Sequence, residues 1–454
     1  MRKTRTPVAV GATLALLVGQ FGGAGTAAAV ERPGIDGPVP AAGGLDSGPL
    51  RPDGPCRTTA AILDPSSPPA AATAADLADA WIHGRGEGQV VAVIDTGVNP
   101  GPRLPRVRGG GDVVPGRDGT EDCDAHGTLV AGVLAATEDD SGHSGIAPGA
   151  EIVSIRQSSS VLRPEQRGDG PADEAGGMSG VGSLSTLARA IRAAVDAGAG
   201  IINISEVACV PAGTVLADDT LGGAIRYAAV DHDVVVVAAA GNVGAPCGDQ
   251  NPEGPDASVP GDDGWDGVRT IASPAWYDDH VLTVGGVDAL GRPADFSLRG
   301  PWVDVAAPAV DLRSVGADGD GVADLVVDGD GSRTGISGTS FAAPFAAGTA
   351  ALIRQAHPEL SAREVIRRIE DTAIPAAGGH DHAIGHGVVD PVAAVTGVRG
   401  PGRPAPASAT MAAPVPDPGP PGTGSGGIVA AGALALGAAA LVVVVLLRPR
   451  DSPR

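Results

Sequence analysis

Residues 89–97 read Gln89-Val90-Val91-Ala92-Val93-Ile94-Asp95-Thr96-Gly97, a short β-branched run that ends in a carboxylate and a turn. Such a run, with no polar alternation, suits a strand buried on both faces, as in a parallel sheet. The theme returns at Ile152–Ile155, Ile201–Ile204, Val234–Ala240 and Val281–Val284. Between these runs, His126–Ala136 carries Leu129, Val130, Val133 and Leu134 at helical spacing, and Ser183–Ala197 carries Leu187, Ala190, Ile191 and Ala194. Strands alternating with helices predict an α/β fold with a doubly wound, mostly parallel sheet flanked by helices. Ligands of such sheets sit outside the carboxyl ends of the strands, and Asp95 stands at one of those ends.

Outside this region the two ends of the chain set the compartment. Arg2, Lys3 and Arg5 precede an apolar stretch from Pro7 to Phe21, and Ala27-Ala28-Ala29 offers small residues for cleavage, so residues 1–29 read as a signal peptide. The run Ile428–Leu447 holds no charge, and as a helix it matches a hydrocarbon core about 30 Å thick. It reads as a transmembrane helix, with Arg448 and Arg450 in a cytoplasmic tail over residues 448–454. The expected layout is therefore an N-terminal extension over 30–80, a domain over 81–398, a Pro- and Gly-rich linker over 399–427, and the span over 428–447. The protein is expected in the cell membrane, single-pass, with its main domain extracytoplasmic.

The 454 residues include 53 acidic and 31 basic side chains, a net charge of -22, and such a chain repels nucleic-acid phosphates. With 43% hydrophobic residues it is not disordered throughout. Cys56, Cys123, Cys209 and Cys247 all fall in the exported part, where disulfides form. Four cysteines allow three pairings. We favour Cys56 with Cys123, which ties the extension to the neighbourhood of His126, and Cys209 with Cys247, which joins segments following consecutive apolar strands.

Two further stretches stand out. His126 opens a helix in His126-Gly127-Thr128-Leu129-Val130-Ala131-Gly132, where the glycines permit close backbone approach. Ser340 sits in Gly338-Thr339-Ser340-Phe341-Ala342-Ala343-Pro344, a string far longer than an N-cap requires, with Pro344 expected in a first helical turn. In the order Asp, His, Ser, and over about Trp81 to Val395, these strings resemble the subtilisin-like serine peptidases. The resemblance implies that Ser340 is the nucleophile, His126 the general base and then acid, and Asp95 the orienting carboxylate. A serine hydroxyl needs an imidazole to take its proton, and the imidazolium needs a buried anion. Gly241-Asn242 after the Val234–Ala240 run matches the family's oxyanion asparagine. The resemblance also implies a substrate pocket walled by Ser205, Glu206 and Val207 and by Ala238, Ala239, Ala240 and Gly241. Glu206 and Val207 replace the usual leucine and glycine, so that Glu206 either favours a polar or basic neighbour on the substrate or points to solvent. A neutral base implies that activity falls below the ordinary histidine pKa of about 6.5.

The leader, the cysteine-bearing extension, Ile155-Arg156-Gln157-Ser158-Ser159, Asn203-Ile204-Ser205-Glu206, the linker and the span together resemble the mycosins, membrane-anchored subtilases associated with type VII secretion in actinobacteria. That implies exported protein or peptide substrates and a secretion membrane complex as partner. A non-enzymatic scaffold of the same fold is the alternative. No cofactor is required. Calcium is a minor expectation at Asp318, Asp320 and Asp324, against an acidic hairpin with its strand over Val322–Val327. His380-Asp381-His382 with His386 suggests zinc but reads better as solvated histidines in a loop. The extension lacks the strands and paired helices of an independent inhibitory domain, so it is expected to be a permanent clamp that leaves the cleft partly open, rather than a propeptide.

Overall fold

The computed structural model describes residues 30–398, apart from 42, 46–47, 63–73, 141, 166–180, 245–246, 256–257 and 377–378. The expected leader, linker, span and tail lie outside these residues. Among the described residues no helix is long and apolar enough to cross a membrane.

Val90–Asp95 (β1), Val107–Asp112 (β2), Glu151–Arg156 (β3), Ile201–Ile204 (β4), Val235–Ala239 (β5), Leu282–Val287 (β6) and Val305–Pro308 (β7) form one seven-stranded sheet. The order is β7-β6-β5-β4-β1-β3-β2, and every neighbouring pair runs parallel. Among the described residues seven α-helices accompany it: Ala74–Trp81 (α1), His126–Ala135 (α2), Leu184–Asp196 (α3), Asp219–Arg226 (α4), Thr339–Ala356 (α5), Ala362–Thr372 (α6) and Pro391–Thr396 (α7). Strand residues alternate between two cores. Val91, Val93, Val235 and Val237 pack with Leu129, Val133 and Ala346 of α2 and α5, while Ala92, Ile94, Val236 and Ala238 pack with Leu187, Ile191 and Ala224 of α3 and α4. Burial on both faces explains why the strands read as unbroken apolar runs.

The expected strands and helices are present within a residue or two, except that β6 runs three residues past the expected Val284. β2 and β7 are additions at the sheet's edges, the first glycine-rich and the second only four residues long. β2 is fixed to β3 by a buried ion pair, in which Arg156 Nε donates to both oxygens of Asp112 at 2.8 and 2.9 Å. Helix α1 crosses the expected 80/81 boundary. Leu77 and Ala80 are fully buried, and Trp81 Nε1 donates to the Ile146 carbonyl at 2.9 Å, so this helix belongs to the main domain's core.

Both disulfides join the expected partners, Cys56 to Cys123 and Cys209 to Cys247. Among its described residues the extension forms no separate core, and its buried Leu45 and Leu77 join the two cores of the main domain. Leu50–Pro52 pairs antiparallel with Leu162–Pro164, and Thr58–Ala60 adds an antiparallel strand to the hairpin of Leu325–Val327 and Arg333–Gly335. The acidic segment leads into that hairpin, with Asp318, Asp320 and Asp324 before its first strand and Asp328 and Asp330 in its turn. Its strand is shorter than expected, and Asp324 is buried, accepting from the Ile62 N–H at 3.0 Å. Asp318 and Asp320 are exposed and accept from nearby backbone N–H groups. Among the described residues these three carboxylates do not converge on one point that could hold a cation. His380 and His386 are exposed and stack edge-on at 5.0 Å, whereas His382 is buried, so this cluster also lacks the convergence zinc needs.

Candidate active site

The carboxyl ends of β1, β3, β4 and β5 and the first turns of α2 and α5 meet in one place. Asp95, the last residue of β1, is fully buried. Its Oδ1 accepts from the Thr96 N–H at 2.7 Å and lies 2.7 Å from His126 Nδ1. The carboxylate oxygen accepts, so Nδ1 is the donor of this bond. Nε2 lies 3.0 Å from Ser340 Oγ. Gly127, where a Cβ would lie 2.1 Å from the Gly97 carbonyl, lets α2 seat against the loop after β1, and Gly132, where one would lie 2.1 Å from Ser314 Oγ, lets it pack against the Ser314 segment.

Ser340 is the second residue of α5, and Pro344 is the sixth, beyond the first turn in which it was expected. Proline has no N–H, so the Ser340 carbonyl loses its i+4 partner. The Ser205 hydroxyl substitutes, donating to that carbonyl at 2.8 Å, and is itself held by Asn203 Nδ2 at 2.9 Å. Ser340 is thereby fixed to the end of β4.

Asn242 follows β5. Its Oδ1 accepts from the Thr339 N–H at 3.0 Å, which fixes the amide's orientation and turns Nδ2 away. A Cβ on Gly338 would lie 3.1 Å from Ser340 Oγ and 3.4 Å from Asn242 Nδ2, so both atoms border the same small space. Gly338, with φ 150°, keeps that space empty. The second disulfide packs behind it, Cys247 Sγ being 3.1 Å from a notional Cβ on Gly241. Of the expected pocket walls, Ala238, Ala239 and Ala240 are buried to within 1%, Ser205 is 6% exposed, and Glu206 and Val207 are half-buried.

Glu206 does not point to solvent. Among the described residues, Asp95, His126 and Glu206 form the only trio of His, Cys, Asp or Glu side chains whose polar atoms all lie within 4.8 Å of one another. Asp95 and His126 already satisfy each other, so the trio is a charge cluster and not a cation cage. Burial pushes the Glu206 carboxyl up to about 7, aided by the charge of Asp95 and opposed by His126 and a hydrogen bond from Ser158. At His126 burial alone would lower the imidazole. The charge of Asp95 and the bond to it, followed by Glu206 and Asp122, outweigh burial and raise it to about 9. With this imidazole as the base, the ascending limb of activity is expected above the ordinary histidine value, and a pH–rate profile checks it.

Beneath the site lie two residues that nothing in the sequence singles out beyond their place on either side of Cys123. Asp122 accepts from the Thr128 N–H at 2.8 Å, the Thr128 hydroxyl at 2.7 Å and the Thr96 hydroxyl at 2.9 Å, and burial lifts its carboxyl to about 7. Asp124 accepts from the Ser160 N–H at 2.8 Å and pairs at 3.6 Å with Arg57 of the extension. In the Gln157-Ser158-Ser159 stretch, the Gln157 N–H donates to the Asp95 carbonyl at 2.8 Å, and Gln157 Nε2 reaches Thr186 of α3, also at 2.8 Å.

Residues 86–387 match the subtilase family. Mycosin-3 of Mycobacterium tuberculosis (strain ATCC 25618 / H37Rv) is 44% identical over 364 residues, which cover 77% of this chain and 78% of that protein. The structure of a serine protease MycP1, an essential component of the type VII (ESX-1) secretion system, superposes with a TM-score of 0.74 at 42% identity, covering 81% of this chain and all of that one. A chain of an intact ESX-5 inner membrane complex gives a TM-score of 0.74 at 39% identity, covering 92% of this chain and 99% of that one. This chain belongs to the subtilase family of serine endopeptidases, and within it to the mycosins.

Proposed function

We propose that this chain is a membrane-anchored, extracytoplasmic endopeptidase that works through an acyl-enzyme on Ser340 and acts on or with a type VII secretion system. The observation that carries the reading is the unbroken relay from Asp95 through His126 to Ser340, with bonds of 2.7 and 3.0 Å. Ser340 Oγ attacks the scissile carbonyl carbon as its proton passes to His126 Nε2. Nδ1 keeps its own proton, held by Asp95. The carbonyl electron pair moves onto oxygen, where Asn242 Nδ2 and the Ser340 N–H donate to it. The C–N bond then breaks, and the departing amine takes the proton from Nε2. Water repeats the sequence on the ester, releasing the acid and restoring Ser340. Ser205, Glu206 and Val207 on one side and Ala238, Ala239, Ala240 and Gly241 on the other wall the substrate cleft.

Anchoring rests on the uncharged Ile428–Leu447 run, and the secretion partner on the likeness to a chain of an ESX-5 inner membrane complex. The test is genetic. A strain lacking this chain is complemented with the wild type or with Ser340→Ala, and export is measured by mass spectrometry of culture filtrate. Restoration by the wild type alone is expected where cleavage drives export. Equal restoration by both would make the chain a scaffold.

The strand pairings at 50–52 and 58–60, together with Cys56–Cys123, support a permanent clamp in the extension. In the chain-entropy picture, closing a loop with a sequence separation of 67 contributes about 4 kcal/mol. N-terminal sequencing of the mature protein is expected to find a start near residue 30 in both the wild type and Ser340→Ala. A wild type that starts near residue 77 beside a variant that starts near 30 would show a propeptide removed by self-cleavage.

A further inference from the structure

Every subtilase triad needs one buried carboxylate for its imidazole, yet this site holds a second. Glu206 belongs to the coil after β4, next to the serine whose hydroxyl fixes the nucleophile's carbonyl. Its carboxylate comes within 4.8 Å of polar atoms of both Asp95 and His126. Ser158, from the loop after β3, holds it by a hydrogen bond. Asp95 uses Oδ1 for His126 and Thr96, and its buried Oδ2 has no hydrogen-bond partner among the described residues. The site thus gathers more negative charge around one imidazole than a three-residue relay uses.

We propose that Glu206 is a second charge partner of the catalytic imidazole, a positioning residue that sets the pH at which the peptidase becomes active. The inference rests on the peptidase reading above. The groups that face Glu206 are Asp95 at the end of β1, His126 at the start of α2, and Asp124 in the turn before that helix. Asp122 also acts on His126, and Arg57 pairs with Asp124 at 3.6 Å. Glu206 and Asp95 repel each other, so Glu206 retains its proton on the acid side. As the pH rises it ionises, and its charge then favours the imidazolium that forms when Ser340 attacks. The same charge raises the imidazole's pKa, so the free base appears only at higher pH.

A unit charge about 5 Å away, at an effective dielectric between 80 and 20, moves an imidazole by about 0.6 to 2.4 pH units. The probe is a fluorophosphonate, which reports attack by Ser340 without a known peptide substrate. Labelling rates of the purified full-length chain are measured from pH 5 to 10 for the wild type, Glu206→Gln and Glu206→Asp. The expected result for Glu206→Gln is an ascending limb lowered by about 0.6 to 2.4 units and an alkaline plateau lowered by about 4-fold to 250-fold. The two profiles should converge at acid pH, where Glu206 is neutral. Glu206→Asp should keep the wild-type limb.

A Glu206→Gln profile lowered by one factor at every pH, with its limb unmoved, would overturn the proposal and leave Glu206 a wall residue. Should that variant fold poorly, Ser158→Ala removes a hydrogen bond that favours the ionised carboxylate and is expected to lower the limb in the same direction by a smaller amount. An unmoved limb there would likewise overturn the proposal. No labelling of the wild type at any pH would instead overturn the peptidase reading beneath it.

Discussion

Ser340→Ala is expected to lower kcat for peptide hydrolysis by about a millionfold while leaving the protein folded, because the nucleophile and its base act as one unit. Among the described residues the hydroxyl's one hydrogen-bond partner is His126 Nε2 at 3.0 Å, so removing it leaves no other such partner stranded. The bond that fixes the position uses the Ser340 carbonyl, which alanine keeps, and alanine is a strong helix former at the start of α5. Residual catalysis of about 10³ to 10⁴ over water should persist from the oxyanion donors and substrate binding alone. The checks are steady-state kinetics on a peptide substrate and a thermal melt. Loss of only tenfold would mean that another group delivers the nucleophile.

The second large effect is expected at Asn242. Removing one oxyanion donor costs about 2.7 to 4 kcal/mol of transition-state stabilisation, so Asn242→Ala should lower kcat by about 10²- to 10³-fold with little change in KM. A complication follows from the geometry, since Asn242 Oδ1 also holds the Thr339 N–H beside the nucleophile. Asn242→Asp separates the two roles. It keeps an acceptor for Thr339 but places a negative charge where the oxyanion forms, so its kcat should fall at least as far as that of the alanine variant. Recovery of activity in Asn242→Asp would mean that the side chain serves only to position Thr339.

Legibility in the sequence followed the range over which each constraint acts. β1, β3, β4, β5 and β6 were readable because burial on both faces demands continuous β-branched runs. β2 was not, since Gly109, Gly110 and Gly111 carry no strand signal. Glycine is nonetheless required there, because a Cβ on Gly110 would lie 2.3 Å from a Val153 methyl across the strand pair. β7 is a four-residue edge strand ending in Pro308, too short for any periodicity to register. The triad was legible because each member sits in a local string that its element terminus requires. Pro344 was readable as part of its motif but not as the reason Ser205 exists: the missing N–H is local, and its compensation comes from another strand.

Glu206 marks the limit most clearly. As a string, Ser205-Glu206-Val207 shows only a departure from the subtilisin pattern, with the side chain free to face substrate or water. Its approach to His126 arises because the loops after β1, β3 and β4 converge at one end of the sheet, a relation between strands that no short window contains. The same holds for Asp122 and Asp124, whose neighbours Thr96, Thr128 and Ser160 lie on three separate segments.

The central claim is that Asp95, His126 and Ser340 form working catalytic machinery, and covalent labelling tests it most directly. Purified full-length protein is treated with a fluorophosphonate, digested, and the adduct located by mass spectrometry, with Ser340→Ala treated in parallel. The account predicts a phosphonyl adduct on Ser340 in the wild type and no adduct in the variant. A folded wild type that takes no label, or a variant that labels as fast, would contradict it.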